Sequence, residues 1–273
     1  MAKKNLNKIS PLAPKSTKRL NPIDGVNLYT YCANLYNKQR NDLSVFIFEG
    51  KCFIAEVFTN SSLRSATLDW NSKALKGKEV QAIIVNAGNA NTFTGKQGER
   101  AIEQVVKTIA SQFKISEKKI FIASTGVIGE PFPTHKVIKA LKQKKSPSKN
   151  WIDAARAIMT TDTYPKGISI NTSIGNQKVK ITGISKGSGM IEPNMATMLG
   201  FIFTDAELSP SILRSLINKF IPDSFNSISV DGDESTNDTV MLTSTNAKKL
   251  NNKIHSINDT RLKKFKFDLK KVF

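Results

Sequence analysis

The sequence predicts an α/β protein of one or two domains. Two stretches, "QAIIVN" (81–86) and "KIFIAST" (119–125), read as buried strands, and each runs at once into a small-residue turn, "AGNANTFTG" and "GVIGEPFP". Between them "ERAIEQVVKTIASQF" sets Ile102, Val105, Val106 and Ile109 at helical spacing. Strand, helix and strand in alternation is the pattern of a layered α/β or α+β chain. At 273 residues, with 39% apolar content, the chain has enough material for a substantial core.

The remaining elements follow in order. "THKVIKALKQ" and "NWIDAARAIMT" read as two further helices. The segment "GSGMIEPN" leads into a strand "TMLGFIF". Ser209-Pro210 opens a helix, with serine at the N-cap and proline in the first helical position ahead of Ile212, Leu213, Leu216 and Ile217. Two strands are expected after it, "NSISVDG" and "TVMLTST". The loop "DGDESTND" (231–238) between them is read as a turn, with Asp238 its buried and hydrogen-bonded acid. In "NDTRLKKFKFDLKKVF" the residues Leu262, Phe265, Leu269 and Val272 share one helical face, yet the sequence stops at Phe273 without a cap. A chain cut short is the expectation there, with a terminal helix docked on the core as the alternative.

Forty-one Lys and Arg against 22 acids give a formal charge of +19. Six of the bases fall in residues 1–19, six in 136–149 and nine in 248–271, and Asp259 and Asp268 are the only acids in those segments. The rest of the chain is balanced, and neither an RNA-binding aromatic signature nor zinc-finger spacing accompanies the excess. The charge therefore reads as solvated lysine-rich surface, and no nucleic-acid partner is expected. Cys32 and Cys52 are too few for a disulfide framework or a thiolate metal site. The basic N-terminus lacks the apolar run of a signal peptide and nowhere do 18 apolar residues follow one another, so a soluble, cytoplasmic protein without a membrane partner is expected.

Several catalytic arrangements are excluded by what the chain lacks. His135 and His255, the only histidines, sit among lysines, which argues against a Ser-His-Asp triad or a histidine-rich metal site. "GKQGER" (95–100) does not have phosphate-loop spacing, and the acids of "DGDESTND" do not have the spacing of a calcium loop. No metal is expected. A hydroxyl nucleophile remains, and one base that any chain can create for itself is a terminal amine, whose ordinary pKa of about 7.7–8.0 leaves it partly neutral at physiological pH. Thr197, in "KGSGMIEPNMATMLGF", is placed to become such a residue. Gly187 and Gly189 permit positive φ, Pro193 restricts Glu192, and Ala196 leaves its carbonyl uncrowded for attack by the threonine hydroxyl. On spacing alone, a plain loop entering a strand accounts for the same residues.

"GISKGSGMIEPNMATML" resembles the self-cleaving segment of the ornithine acetyltransferases, also called glutamate N-acetyltransferases, of arginine biosynthesis. Five more blocks are similar to that family in the same order: "AEVFTNSSLRSA" (55–66), "VNAGNANTFTG" (85–95), "ASTGVIGEPFP" (123–133), "TTDTYPK" (160–166) and "SVDGDESTNDTV" (229–240). The resemblance implies two stacked β-sheets between helical layers, an α-β-β-α sandwich of the N-terminal-nucleophile kind. It also implies a precursor cut between Ala196 and Thr197 into an alpha chain, 1–196, and a beta chain, 197–273. The expected activity is acetyl transfer from N2-acetyl-L-ornithine to L-glutamate through an acetyl-threonine, with acetyl-CoA a further candidate donor and no cofactor. In the expected roles Thr197 is nucleophile, Thr125 and Gly126 form the oxyanion hole, and Lys186 and Thr163 contact substrate, Thr160 and Thr161 being alternatives in register for the last. A heterotetramer of two alpha and two beta chains is expected.

Two departures stand out. The family continues well past the position of Phe273 and carries further substrate-binding residues there, so truncation with poor substrate binding is expected. Glu56 also stands where a small residue is usual. A self-processing aminopeptidase-like hydrolase and an inactive basic fragment are the competing readings.

Overall fold

The computed structural model describes residues 9–11, 13–15, 19–36, 39–191 and 198–273. Among them, eight strands form one hydrogen-bonded sheet in the order β4-β3-β2-β8-β7-β6-β5, with β1 on the far edge of β2. The strands are β1 Val26–Tyr31, β2 Leu43–Phe58, β3 Glu79–Asn89, β4 Ile120–Val127, β5 Lys166–Ile174, β6 Gln177–Lys186, β7 Leu199–Ala206 and β8 Thr239–Lys248. The helices are α1 Ala66–Ala74, α2 Gly95–Phe113, α3 Thr134–Leu141, α4 Ile152–Ala157, α5 Pro210–Phe220 and α6 Lys263–Lys270.

The sheet is continuous but does not lie in one layer. Strand β2 runs for 16 residues, and its pairing with β3 shifts register between Ile47 and Cys52. Gly50, at φ 70°, occupies that irregularity in a conformation that favours glycine. Before the break β2 lies between β1 and β3; after it, β8 becomes the principal neighbour. The sheet folds over at this point. Phe46 of β2 packs on Phe203 of β7 at 4.7 Å between ring centroids although the two strands are not neighbours, and Trp151 closes edge-on against Phe203 at 5.1 Å.

Three apolar clusters record the resulting layers. Phe46, Ile83, Val85 and Phe121 from one half meet Ile184, Phe201 and Met241 from the other. Outside the first half, Val45, Ile84 and Ile122 meet Ile102, Val105, Val106 and Ile109 of α2. Outside the second half, Val179, Ile202 and Leu242 meet Leu213, Leu216 and Ile217 of α5. Layers therefore follow as helix, sheet, sheet, helix, which is the expected sandwich. The expected pair of sheets is here a single hydrogen-bonded sheet bent through β2.

Each layer holds one parallel pair joined across a helix: β3-α2-β4 and β7-α5-β8. The N-cap of α5 forms as its sequence requires, with the Ser209 hydroxyl accepting from the Ile212 N–H at 3.4 Å. The strand expected over "NSISVDG" is not formed. Phe225–Ser227 is a helical turn, and Val230 makes only an isolated bridge to Ile191. The physical reason is that β8, the strand that follows, already has β2 and β7 on its two edges. At the end of the chain, Leu262, Phe265 and Leu269 are fully buried in the outer cluster, and Asp268 accepts from the Thr172 hydroxyl at 2.7 Å. The terminal helix is docked.

Candidate active site

The fold-over at β2 brings both ends of that strand to one end of the sandwich. Leu43, at its start, pairs with Asn86 of β3, which is beside Ser124 of β4. Phe58, at its finish, pairs with Thr239, which is in register with Leu199 and, through it, with Lys186. The loop 235–238 joins the two sides. Asn237 Nδ2 donates to the carbonyls of Ala90 at 2.7 Å and Ser124 at 2.9 Å, while the next residue, Asp238, accepts from the Thr59 N–H through its carbonyl at 3.0 Å.

On the β4 side the polar groups are densely paired. Asn86 accepts from the Ser124 hydroxyl at 2.6 Å and donates to the Asn89 carbonyl at 2.8 Å. The hydroxyls of Thr92 and Thr236 lie 2.7 and 2.6 Å from Asn237 Oδ1. This network holds the end of β4, where Thr125 is buried and Gly126 is exposed. Gly126 has φ 133°, and a Cβ there would fall 2.3 Å from the carbonyl carbon of Gly88 and 2.5 Å from the Asn89 nitrogen. Only glycine fits, because backbone rather than a movable side chain fills the space. The bulge at Gly88 and Asn89, where Asn89 faces both Thr125 and Val127, is the other half of this close approach.

The β6 side holds ionisable groups instead. Lys186, the last residue of β6, is 4% exposed. Burial holds its ammonium below the ordinary lysine range, and the carboxylates of Asp162 and Asp238 work in the opposite direction. Burial raises Asp162, but the Lys166 ammonium and the N–H groups of Gly187 and Thr160 outweigh it and leave the acid lowered. The Gly187 N–H donates to Asp162 Oδ1 at 2.9 Å, which fastens the "TTDTYPK" block alongside Lys186. Asp238 is pushed up to about 8, first by burial, against opposing hydrogen bonding from Ser235, attraction to Lys186 and hydrogen bonding from the Met198 amide.

Of the residues picked from sequence, Thr125, Gly126 and Lys186 are at this end of the sandwich. Thr163 follows Asp162 in the same block, and its hydroxyl accepts from the Ser10 N–H at 3.2 Å. Thr160 donates its backbone N–H to Asp162 Oδ2 at 3.3 Å. Ala196 and Thr197 lie outside the described residues; their described neighbours are Ile191 and Met198. Sequence reading had Asp238 as a buried acid but gave it no role, and it passed over Asp162 and Asn237. The available signal was an acid and an amide within blocks otherwise rich in small and hydroxyl residues. Among the described residues no cluster of three or more His, Cys, Asp or Glu is arranged to hold a metal, and no helix is long and apolar enough to cross a membrane.

The chain is similar to several known proteins. The ArgJ family model matches residues 28–273. The arginine biosynthesis bifunctional protein ArgJ of Bartonella quintana is 43% identical over 240 residues, covering 87% of this chain and 58% of the relative. The chain thus spans a little under three fifths of that relative's length. A crystal structure of ArgJ from Bacillus halodurans superposes with a TM-score of 0.61 at 31% identity, over 66% of this chain and 95% of that one. The L-aminopeptidase D-Ala-esterase/amidase of Ochrobactrum anthropi, a variant of the Ntn hydrolase fold, gives 0.57 over 95% of this chain and 85% of that one; at 12% identity it speaks for the fold alone. With a family model that takes in every strand but the first two residues of β1 and every site residue discussed above, the chain belongs to the ArgJ family.

Proposed function

We propose that this chain is the self-cleaving, acetyl-transferring part of an ornithine acetyltransferase. In the first step Thr197 Oγ attacks the Ala196 carbonyl carbon, the peptide C–N bond breaks, and an ester forms as the nitrogen takes up a proton. Water then hydrolyses the ester, leaving a carboxylate on Ala196 and a free amine and hydroxyl on Thr197. In the transfer reaction that amine accepts the hydroxyl proton while Oγ attacks the acetyl carbonyl of N2-acetyl-L-ornithine. Ornithine leaves with the proton, and the amine of L-glutamate takes the acetyl group from threonine. Acetyl-CoA is a second candidate donor, from which the free Thr197 hydroxyl takes the acetyl group to form the same acetyl-threonine as CoA leaves with the proton as its thiol, and no cofactor is required.

Thr125 and Gly126 are assigned to the developing oxyanion, and Lys186 and Thr163 to the substrate. The observation that carries this reading is the convergence of Gly126, Lys186 and the loop 235–238 from distant parts of the sequence on one end of the sandwich, beside Met198. Cleavage into alpha chain 1–196 and beta chain 197–273 is compatible with a lasting fold, since β7 and β8 stay hydrogen-bonded to β6 and β2 of the other chain. The proposed assembly is a cytoplasmic heterotetramer of two alpha and two beta chains.

Intact mass tests the proposal. Wild-type protein should convert from 30.1 kDa to two fragments, the smaller beginning at Thr197, and Thr197→Ala should stay whole and transfer no acetyl group. An uncut wild-type chain after long incubation refutes the reading. Side-by-side assays with N-acetylornithine and acetyl-CoA then decide how many donors are used.

A further inference from the structure

Arg40, just ahead of β2, touches both sides of the candidate site at once. Its guanidinium lies over the Tyr36 ring, with Cζ 4.6 Å from the ring centroid. Its Nη2 donates to the carbonyls of Met159 at 2.6 Å, Ala157 at 3.2 Å and Arg156 at 3.4 Å. Ala157 ends α4, and the last carbonyls of a helix are left open by its own hydrogen bonds, so a cation suits them. Asp42, fully buried, braces the same region: its carboxylate accepts from the Ala33 N–H at 2.6 Å and the Leu35 N–H at 2.7 Å, directly ahead of Tyr36.

Tyr36 carries the contact to the rigid side. A Cβ added at Gly88 would fall 3.3 Å from Tyr36 Cε2, so the ring lies directly against the Gly88 backbone, the same backbone that leaves room for glycine alone at position 126. Met159 carries the contact to the ionisable side. The next residue, Thr160, donates its N–H to Asp162 Oδ2 at 3.3 Å, and Asp162 Oδ1 takes the Gly187 N–H at 2.9 Å, beside Lys186. One guanidinium therefore connects β3, in the first half of the bent sheet, with the end of β6 in the second.

We propose that Arg40 is a positioning residue that sets the distance between the Gly126 turn and the Lys186 end of the site, by tying Tyr36 on Gly88 to the carbonyls of Ala157 and Met159. This rests on the function proposed above, in which an acetyl carbonyl meets the oxyanion donors while Lys186 and Thr163 hold the rest of the substrate. Arg40 touches no reacting atom and acts through these neighbours. A cap that served α4 alone would need only the carbonyl bonds; the stack on Tyr36 is what couples it to the oxyanion side. With the link broken, substrate still meets Lys186 and the 160–166 block, but its carbonyl drifts from Gly126. A misplacement of about 1 Å costs on the order of 100-fold in rate.

The test uses the full chain as wild type, Arg40→Ala, Arg40→Lys, Tyr36→Leu and the double variant Arg40→Ala/Tyr36→Leu. Lysine keeps the charge but loses the flat guanidinium that stacks on the ring. In acetyl transfer from N-acetylornithine, kcat should fall about 10- to 100-fold in each Arg40 variant with little change in KM, a split that lost stability alone does not produce. The double variant should be no slower than the slower single one, because both substitutions break one link. Deuterium exchange at the Gly187 amide, read by mass spectrometry, should quicken about tenfold in Arg40→Ala. Should Arg40→Ala fail to fold by circular dichroism, Arg40→Lys and Tyr36→Leu decide. A folded Arg40 variant with wild-type kcat and wild-type exchange at Gly187 overturns the inference and leaves the proposed function standing. A wild-type protein that transfers no acetyl group overturns both.

Discussion

The two sides of the candidate site are built on opposite principles. At the end of β4, Asn86, Ser124, Thr92, Thr236 and Asn237 are neutral and mutually hydrogen-bonded. Around β2 and the starts of β7 and β8, Glu56 Oε2, Asp238 Oδ2 and Thr239 Oγ1 are buried without partners among the described residues, and Lys186 is buried near Asp162 and Asp238. A satisfied neutral network fixes backbone geometry and has little left to offer a proton. Unsatisfied ionisable groups do the reverse, since their charge states are poised by burial. The first kind of region suits a preorganised oxyanion hole, the second suits proton handling and binding of a charged substrate.

The strongest way to break this contrast is to disturb the rigid side. Gly126→Ala forces a side chain onto the backbone of Gly88 at a φ that L-residues rarely adopt. It should destabilise by roughly 3–4 kcal/mol, measured by urea unfolding, since strained φ and overpacking each cost about 1–3 kcal/mol. Residual folded protein should transfer acetyl groups about 100- to 1000-fold more slowly, as for loss of one oxyanion donor. Unchanged stability would show that the two strands part easily and that the side is not rigid.

Next in size is an effect of opposite sign on the ionisable side. Glu56 accepts from Asn71 Nδ2 at 2.9 Å through one oxygen and leaves the other unpaired, and burial pushes it from 4.5 up to about 8 against that bond and the Arg214 charge. The folded state thus keeps a proton that the unfolded chain releases from about 4.5 upward. Its contribution is fully present below 4.5, is lost as pH rises toward 8, and is constant above that. Glu56→Gln mimics the protonated acid, so it should gain about 3 kcal/mol at pH 7 over wild type and show no such dependence between pH 5 and 8. Parallel stability curves for both proteins over that range would refute a neutral buried Glu56.

Smallest is the expected effect of Thr92→Val, which keeps the shape and removes the hydroxyl beside Asn237 Oδ1 and Thr236. A loss of about 1–2 kcal/mol in denaturant stability is expected, with acetyl transfer nearly unchanged. A large loss of activity with little loss of stability would place Thr92 on the chemical side of the site.

Periodicity and turn chemistry made β3, α2, β4, α5, β7 and β8 legible, because each has an apolar face of its own and a small-residue or capping signal at an end. Helix α1 was not legible: "ATLDWNSKA" has little apolar face, and it is held by Asn71, whose side chain donates to the Ile122 carbonyl and accepts from the Ile122 N–H, both at 2.9 Å. The segment 226–232 misled, since its alternation suits a strand but β8, the strand that follows it, already has β2 and β7 on its two edges. Glu56 was an unexplained departure in the sequence. In the fold it points between the layers toward Asn71, so a polar side chain fills a position that a helix of the same chain covers.

Residue type and local spacing carried the layered α/β class and the candidacy of Thr197, and the six ordered blocks, through the family they resemble, carried the candidate roles of Thr125, Gly126 and Lys186. Tertiary structure decided that one sheet bends at Gly50 into two layers and that Asn237 and Asp238 join the ends of β4, β2 and β7. It also decided which buried acids are satisfied. Those outcomes depend on contacts between residues more than a hundred positions apart, and on burial, which sets the charge state of a carboxyl only after the whole chain has closed around it.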